Sequence, residues 1–237
     1  MRPYNGCFVL MASLLQRHRF GRRAPLLFLA LLAVSSAFAQ ERADCRAFRS
    51  TILHSSVRYC VFLPASYFSP NAKTQRFPVL YLLHGLGGNE QEMALSGEWS
   101  VLQDLRRDHK VGDFLVVAPD GSDTFYINSQ DGKTLYGDFF LREFMPFIER
   151  TYRVRAERAA RGITGFSMGG YGALRIAFAN PELFGSVSAH SAALMRVPPQ
   201  GATAGASAGN LPAAILTNVF GNPIDRKQHS RFVVRPH

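Results

Sequence analysis

Ser167, in the pentapeptide Gly165–Gly169, has the residue type and the glycine spacing of a catalytic nucleophile. In the G-x-S-x-G pattern the serine occupies a sharp turn between a strand and a helix, where its backbone is strained and its hydroxyl is presented outward. Side chains two residues to either side would collide with the neighbouring strand and helix, and glycine removes both clashes. The pattern therefore predicts acyl transfer through an acyl-serine intermediate.

A second glycine-rich turn, His84 to Gly88, has the composition to stabilise the charge that such a reaction develops. Acyl transfer needs two N–H donors aimed at an oxyanion. Met168 follows the nucleophile and supplies one of them, and we expect Leu86 to supply the other. We interpret His84 as a packing and hydrogen-bonding residue that shapes the turn. The hypothesis requires Leu86 to lie within about 8 Å of Ser167.

Both turns follow apolar segments that can position them. Residues 77–83 are a continuous apolar run, as expected of a strand buried on both faces, and residues 159–164 are a short apolar run suited to a buried strand. Residues 169–180 predict a helix that Pro181 stops. The remaining predicted elements are a hairpin over 47–63, helices near 99–108 and 139–152, strands over 114–118 and within 183–192, a helix within 211–220, and an irregular loop over 122–133 in which Phe125–Ile127 is a candidate extra strand.

These motifs resemble the putative-esterase family of α/β-hydrolases, which includes esterase D-type enzymes, feruloyl and acetylxylan esterases, and mycolyltransferases. The resembling stretches are Tyr59–Pro64, Tyr81–Gly88, Asp138–Tyr152, Gly165–Ala173 and Asn180–Phe184. The resemblance implies an α/β-hydrolase fold, a mostly parallel sheet flanked by helices. It implies a secreted serine ester hydrolase with Ser167 as nucleophile and Leu86 and Met168 as the oxyanion hole. An acyltransferase of the same family is the alternative.

The same mechanism needs a carboxylate and a histidine that follow the serine in the chain. Glu182 comes directly after the helix predicted over residues 169–180, so we expect it at the end of the sheet opposite the nucleophile. We interpret His190 as a pocket wall, and Asp225 with His229 as a poor substitute pair, because the mechanism requires two independently positioned loops. The candidates after Ser167 are Glu182, Asp225, His190, His229 and His237.

The family resemblance ends near Asp225, so we expect a domain over residues 40–225 that lacks the last strands of the fold, the triad acid and the triad histidine. Residues 226–237 are predicted to be a disordered basic tail. A catalytically inactive fragment is therefore a further alternative, and we expect weak or no hydrolysis of p-nitrophenyl acetate. The strand within 183–192 would then lie at an open sheet edge, which favours poor solubility.

The N-terminus has the pattern of a signal peptide over residues 1–39. Arginines precede the apolar run 26–34, and Ala37–Ala39 offers a small-residue cleavage site. The run is shorter than the ~20 residues that a membrane span requires. We therefore expect a secreted or periplasmic protein, cleaved near Ala39, without a stable membrane span. Met1 and Met11 both remain candidate starts.

The formal charge of +10 comes largely from the two ends of the chain, and no basic stripe with interleaved aromatics is present. This argues against nucleic acid as a partner. The seven histidines are scattered without metal-ligand spacing, so neither a metal nor a cofactor is expected. The expected partner is a small-molecule or polysaccharide-linked ester substrate, and no oligomeric state is predicted.

Cys45 and Cys60 are the cysteines that remain after signal cleavage, and an oxidising compartment would permit a disulfide between them. A hairpin that turns near residues 54–56 would place Cys60 opposite position 50, so we expect two separate thiols. Trp99 and Tyr126 are candidates for lining an acyl or sugar pocket. We interpret both as core residues, because aromatic side chains are more often buried.

Overall fold

The computed structural model describes residues 40–194 and 213–221, which contain a six-stranded mixed sheet with flanking helices. The strands are β1 Arg42–Arg49, β2 Ser56–Leu63, β3 Val79–Leu83, β4 Leu115–Pro119, β5 Arg161–Phe166 and β6 Ser186–His190. Their spatial order is β1-β2-β4-β3-β5-β6; β4, β3, β5 and β6 run parallel, and β1 and β2 run antiparallel to their neighbours. The predicted mostly parallel sheet is confirmed.

Helices follow the strands much as the apolar spacing predicts. The α-helices are α1 Glu92–Leu95, α2 Glu98–Arg107, α3 Tyr136–Phe139, α4 Met145–Thr151, α5 Met168–Ala179 and α6 Ala213–Phe220. A π-helical turn, Phe140–Phe144, joins α3 to α4 and completes the predicted helix over 139–152. No helix within the described residues has the length and hydropathy of a membrane span.

The two faces of the sheet bury different amounts of apolar surface. Tyr81 and Ile163 point into the larger cluster, where Phe140 and Phe144 are fully buried. Trp99 packs, partly buried, against the smaller cluster on the opposite face, so it lies at the margin of the core where the sequence predicts a core residue. Aromatic side chains bury a large area each, so the larger cluster contributes most of the burial.

The opening hairpin corrects the expectation of two separate thiols. Arg49 pairs with Ser56, which places Cys45 directly opposite Cys60, and the two form a disulfide. The expectation was wrong because the hairpin turns earlier than residues 54–56. Its loop is fixed by the Glu143 carboxylate, which accepts hydrogen bonds from the Ser50 hydroxyl at 2.5 Å and from two backbone N–H groups of the loop.

The loop after β4 corrects a second expectation. Phe125 and Tyr126 do not form an extra strand: both adopt left-handed backbone conformations, with φ of 54° and 58°. Both side chains are fully buried, so Tyr126 is a core residue as predicted. Bulky residues rarely adopt positive φ, and such strain persists only where the surrounding packing determines it.

Several expectations concern residues outside 40–194 and 213–221. The signal peptide over 1–39, the tail over 226–237, Asp225, His229 and His237 all lie outside the described residues, so these expectations and the domain limits 40–225 stay predictions. Within the described part of the chain, β6 lies at one edge of the sheet.

Candidate active site

Ser167 lies at the turn between β5 and α5 with φ 51° and ψ −111°, a conformation that non-glycine residues rarely adopt. Its backbone is held on both sides. The Ser167 N–H donates to the His190 carbonyl at 2.9 Å, and the Ser167 carbonyl accepts from the N–H groups of Tyr171 and Ala193 at 3.0 and 2.9 Å. The serine therefore occupies the strained strand-to-helix turn that the sequence predicts.

The two flanking glycines fit the predicted reason for their presence. A Cβ on Gly165 would lie 2.3 Å from the Gly169 carbonyl carbon, inside the first turn of α5. A Cβ on Gly169 would lie 2.0 Å from the Leu83 carbonyl oxygen, at the end of β3. The first glycine therefore admits the helix and the second admits the neighbouring strand, so both predicted clashes are confirmed.

Met168 is the first residue of α5, and its side chain is fully buried. The first four N–H groups of a helix have no partner within that helix. They also lie at the positive end of the helix dipole, which favours an anion. The Met168 N–H therefore has the position and polarity expected of an oxyanion donor, although its role stays a prediction.

The His84–Gly88 turn approaches the serine turn closely. It is closed by a hydrogen bond from the Gly88 N–H to the Gly85 carbonyl at 3.0 Å. A Cβ on Gly85 would lie 3.1 Å from the Phe166 ring and 3.7 Å from the Phe166 carbonyl oxygen. Leu86 follows Gly85 directly, as Ser167 follows Phe166. The structure thus brings the two predicted turns together, and the role of Leu86 as second donor stays a prediction.

His190 forms part of a wall beside this site. Its ring Nε2 lies 3.1 Å from the Ser188 hydroxyl. It lines a cavity of about 440 Å³ together with Phe166, Thr164 and Leu82. The described residues that line this cavity include His84 and Gly165 but neither Ser167 nor Leu86, so the interpretation of His190 as a wall of the substrate pocket stays a prediction. Among the described residues, no side chain hydrogen-bonds the Ser167 hydroxyl.

Glu182 lies where the sequence predicts, away from the nucleophile. Helix α5 contains 12 residues between Ser167 and Asn180, and a helix rises ~1.5 Å per residue, so its two ends are about 18 Å apart. Glu182 follows the distal end and cannot contact the serine. The other candidates for the acid and the base, Asp225, His229 and His237, lie outside the described residues.

Sequence reasoning missed Asp120, which follows β4 at the same end of the sheet as the turns at His84 and Ser167. Hydrogen bonds from the Ser122 N–H and Arg58 hold the pKa of Asp120 below its ordinary value, while desolvation opposes the shift. The Asp120 carboxylate accepts from Arg58 Nη2 at 3.0 Å and from the Ser122 N–H at 2.9 Å. The available signal was its position after a buried strand that neighbours β3 in a parallel sheet.

Residues 50–232, more than half of the chain, match the family model described as "Putative esterase". An esterase of Mycobacterium tuberculosis is 33% identical over 135 residues, covering 55% of this chain and 28% of that protein. An endo-1,4-beta-xylanase/feruloyl esterase of Xylanibacter ruminicola is 33% identical over 130 residues, covering 53% of this chain and 18% of that protein. The chain thus spans less than a third of either curated relative.

Among solved structures, a ferulic acid esterase superposes with a TM-score of 0.66 at 29% identity, covering 81% of this chain and 71% of that one. The order and direction of the strands, together with this superposition, confirm the α/β-hydrolase fold that the sequence predicts.

Proposed function

The chain belongs to the putative-esterase family, and from that premise we propose that it is a serine ester hydrolase with Ser167 as its nucleophile. The observation that carries the proposal is the strained backbone of Ser167 at the start of α5, directly beside the His84–Gly88 turn. Strain of this kind is retained where it presents a reacting group.

In the proposed reaction the Ser167 oxygen attacks the carbonyl carbon of an ester, and its proton passes to a base. The N–H groups of Met168 and Leu86 stabilise the negative charge on the carbonyl oxygen. Collapse of this intermediate expels the alcohol, which takes up a proton, and leaves an acyl-serine. Water then hydrolyses the acyl-serine to the acid and regenerates the hydroxyl. An alcohol in place of water would make the same intermediate an acyltransferase.

Three histidines that follow Ser167 are candidates for the base in this scheme. His190 is the described histidine nearest in sequence to the nucleophile, but its ring hydrogen-bonds Ser188. His229 and His237 lie outside the described residues. The expectation of weak p-nitrophenyl acetate hydrolysis therefore stays a prediction, and separate alanine variants of the three histidines would identify a base by loss of turnover.

We propose an aromatic or acetyl ester linked to a polysaccharide as the substrate class. Support comes from the similarity to a feruloyl esterase and to the solved ferulic acid esterase. We also propose that the chain acts outside the cytoplasm. The predicted signal peptide and the Cys45–Cys60 disulfide support this location, because disulfides persist in oxidising compartments.

Hydrolysis of p-nitrophenyl acetate and methyl ferulate by the wild type and by Ser167→Ala tests the proposal. Ser186→Ala is the matched control, since it removes an exposed hydroxyl at the start of β6, away from His190. We expect Ser167→Ala to abolish ester cleavage above the rate in buffer, and Ser186→Ala to retain it. Equal rates for the wild type and Ser167→Ala would contradict the assigned nucleophile.

A further inference from the structure

The segment from Asp120 to Tyr126, here called the bracing loop, contacts both halves of the candidate site. Towards β3, the Gly121 N–H donates to His84 Nε2 at 2.8 Å. Towards α5, the Phe125 ring packs edge-on against Tyr171, with centroids 5.7 Å apart. One loop thus connects the His84–Gly88 turn, here called the oxyanion turn, to α5, the helix that follows Ser167.

His84 forms the first of these connections. A backbone N–H can only donate, so Nε2 of His84 accepts from Gly121, and Nδ1 carries the proton that is donated to the Gly85 carbonyl at 2.8 Å. The residue is only 5% exposed, so water competes little for either bond. The imidazole therefore joins the oxyanion turn to the bracing loop through both of its nitrogens.

Tyr126 forms the second connection to the same turn. Its hydroxyl donates to the His84 carbonyl at 3.3 Å, and its ring lies edge-on to the His84 ring, with centroids 5.6 Å apart. A Cβ on Gly121 would lie 2.3 Å from the Tyr126 ring, and one on Gly172 of α5 would lie 2.8 Å from Tyr126 Cβ. The tyrosine therefore fills the space between the oxyanion turn and α5.

Asp120 anchors the bracing loop to the sheet. Its N–H donates to the Arg58 carbonyl at 2.8 Å, and its carboxylate accepts from Arg58 Nη2 at 3.0 Å. The Tyr136 hydroxyl donates to the Asp120 carbonyl at 2.8 Å. With its start fixed by β2 and by the buried Tyr136, the loop has a defined position from which to hold the turn.

We propose that the bracing loop positions the oxyanion turn relative to Ser167, with His84 and Tyr126 as positioning residues. The inference rests on the proposed ester hydrolysis. A donor stabilises the oxyanion only at hydrogen-bond distance from the place where charge develops. A displacement of ~1 Å can reduce a rate about 100-fold, so a loosened Leu86 N–H would lower kcat while substrate binding changed little.

Two conservative variants of His84 separate its two hydrogen bonds. In His84→Asn the side-chain amide can reproduce the Nδ1–H donor to Gly85 but does not reach Gly121. In His84→Gln the carbonyl oxygen can reproduce the Nε2 acceptor for the Gly121 N–H. We expect kcat to fall about 10- to 100-fold in His84→Asn with KM changed less than about threefold, and to recover largely in His84→Gln.

Tyr126→Phe removes only the hydroxyl that bonds the His84 carbonyl, and we expect about a fivefold lower kcat. Tyr152→Phe is the matched control. It removes a hydroxyl that donates to Asp44 of β1 at 2.8 Å, outside the bracing loop. The control should lose stability to a similar extent and keep the wild-type kcat.

Amide hydrogen exchange over residues 85–88 provides a readout that does not depend on catalysis. We expect faster exchange of this turn in His84→Asn and Tyr126→Phe, and unchanged exchange in Tyr152→Phe. Lower stability of the two bracing variants with unchanged kcat and unchanged exchange of the turn would overturn the proposal. If the wild type shows no Ser167-dependent hydrolysis, the proposed function fails, and the exchange rates alone decide whether the loop holds the turn.

Discussion

The centre of the sheet and its β6 edge are built differently at the end where the candidate site lies. At β3 and β5, glycines allow backbone-to-backbone approach, and the adjoining side chains of Tyr81, Leu83 and Ile163 are buried. Along β6 most side chains are exposed, including Ser188 and His190. Ser167 and the His84–Gly88 turn thus have positions determined by close packing, whereas His190 lies on an exposed strand.

This difference indicates which parts of the chemistry the described residues determine. The close packing at β3 and β5 determines the backbone geometry, which includes the strained conformation of Ser167 and the approach of the His84–Gly88 turn. The proton acceptor must be supplied by a side chain in reach of the Ser167 hydroxyl, and within the described residues none makes that hydrogen bond. Substitutions in the two regions should therefore have effects of very different size.

The largest effect on stability is expected for Gly169→Ala. Its new Cβ would lie 2.0 Å from the Leu83 carbonyl oxygen, which is backbone and cannot rotate away. We expect the free energy of unfolding to fall by more than about 4 kcal/mol, whereas Ser188→Ala on the exposed β6 should stay within about 0.5 kcal/mol. Urea unfolding of both variants measures the contrast. Similar values for the two would show that the centre and the edge do not differ as described.

A smaller effect is expected at the opposite edge of the sheet, where a covalent bond restrains β1. Cys45→Ala removes the disulfide to Cys60, whose sequence separation is 15. Closing a loop of this length stabilises a protein by ~3 kcal/mol. We expect the variant to lose about that amount, and reductant to destabilise the wild type but not the variant. A wild type insensitive to reductant would contradict a disulfide in the native protein.

Asp120→Asn tests the electrostatic support of the bracing loop. The Ser122 N–H and Arg58 hold the pKa of Asp120 below its ordinary value of 3.8, and a depressed pKa means that the carboxylate stabilises the folded state. This contribution is present above pH 3.8 and is lost as the pH falls below that value. We expect the variant to be less stable by about 2 kcal/mol at neutral pH, the size typical of hydrogen bonds to a charged group.

The pH dependence provides the check on that prediction. The difference in unfolding free energy between the wild type and Asp120→Asn should shrink as the pH falls below 3.8, because the Asp120 side chain then becomes uncharged like that of asparagine. Asp104→Asn, which removes an exposed pair with Arg107, should change stability by less than about 1 kcal/mol at any pH. A difference for Asp120→Asn that is independent of pH would show that its charge does not contribute.

The features that the sequence predicted well are those encoded in short segments. The apolar run before His84 and the glycines around Ser167 depend on sequence-local contacts. They therefore predicted β3, β5, α5 and the turn at Ser167 directly. The cysteine pairing was wrong because it depends on the register of a hairpin, and Glu143, far away in sequence, fixes the loop that sets this register.

The bracing loop was not predictable for a related reason. Phe125 and Tyr126 have strand-like side chains, yet both adopt positive φ because the cavity between His84 and α5 accommodates the Tyr126 ring. Nothing local favours that backbone. The role of Asp120 likewise depends on the parallel order of β4 and β3, which only the folded sheet reveals. Sequence reasoning thus predicted the turns at Ser167 and His84 better than the contacts that hold them.

The central claim, that Ser167 forms an acyl intermediate, is tested most directly by peptide mapping after an acid quench. The protein is mixed with p-nitrophenyl acetate, quenched within the first turnover and digested, and the acetylated peptide is located by mass spectrometry. We predict acetyl on Ser167 in the wild type and in Ser186→Ala, with none at this position in Ser167→Ala. Acetyl on another residue at full stoichiometry, or nitrophenol release that persists in Ser167→Ala, would contradict the account.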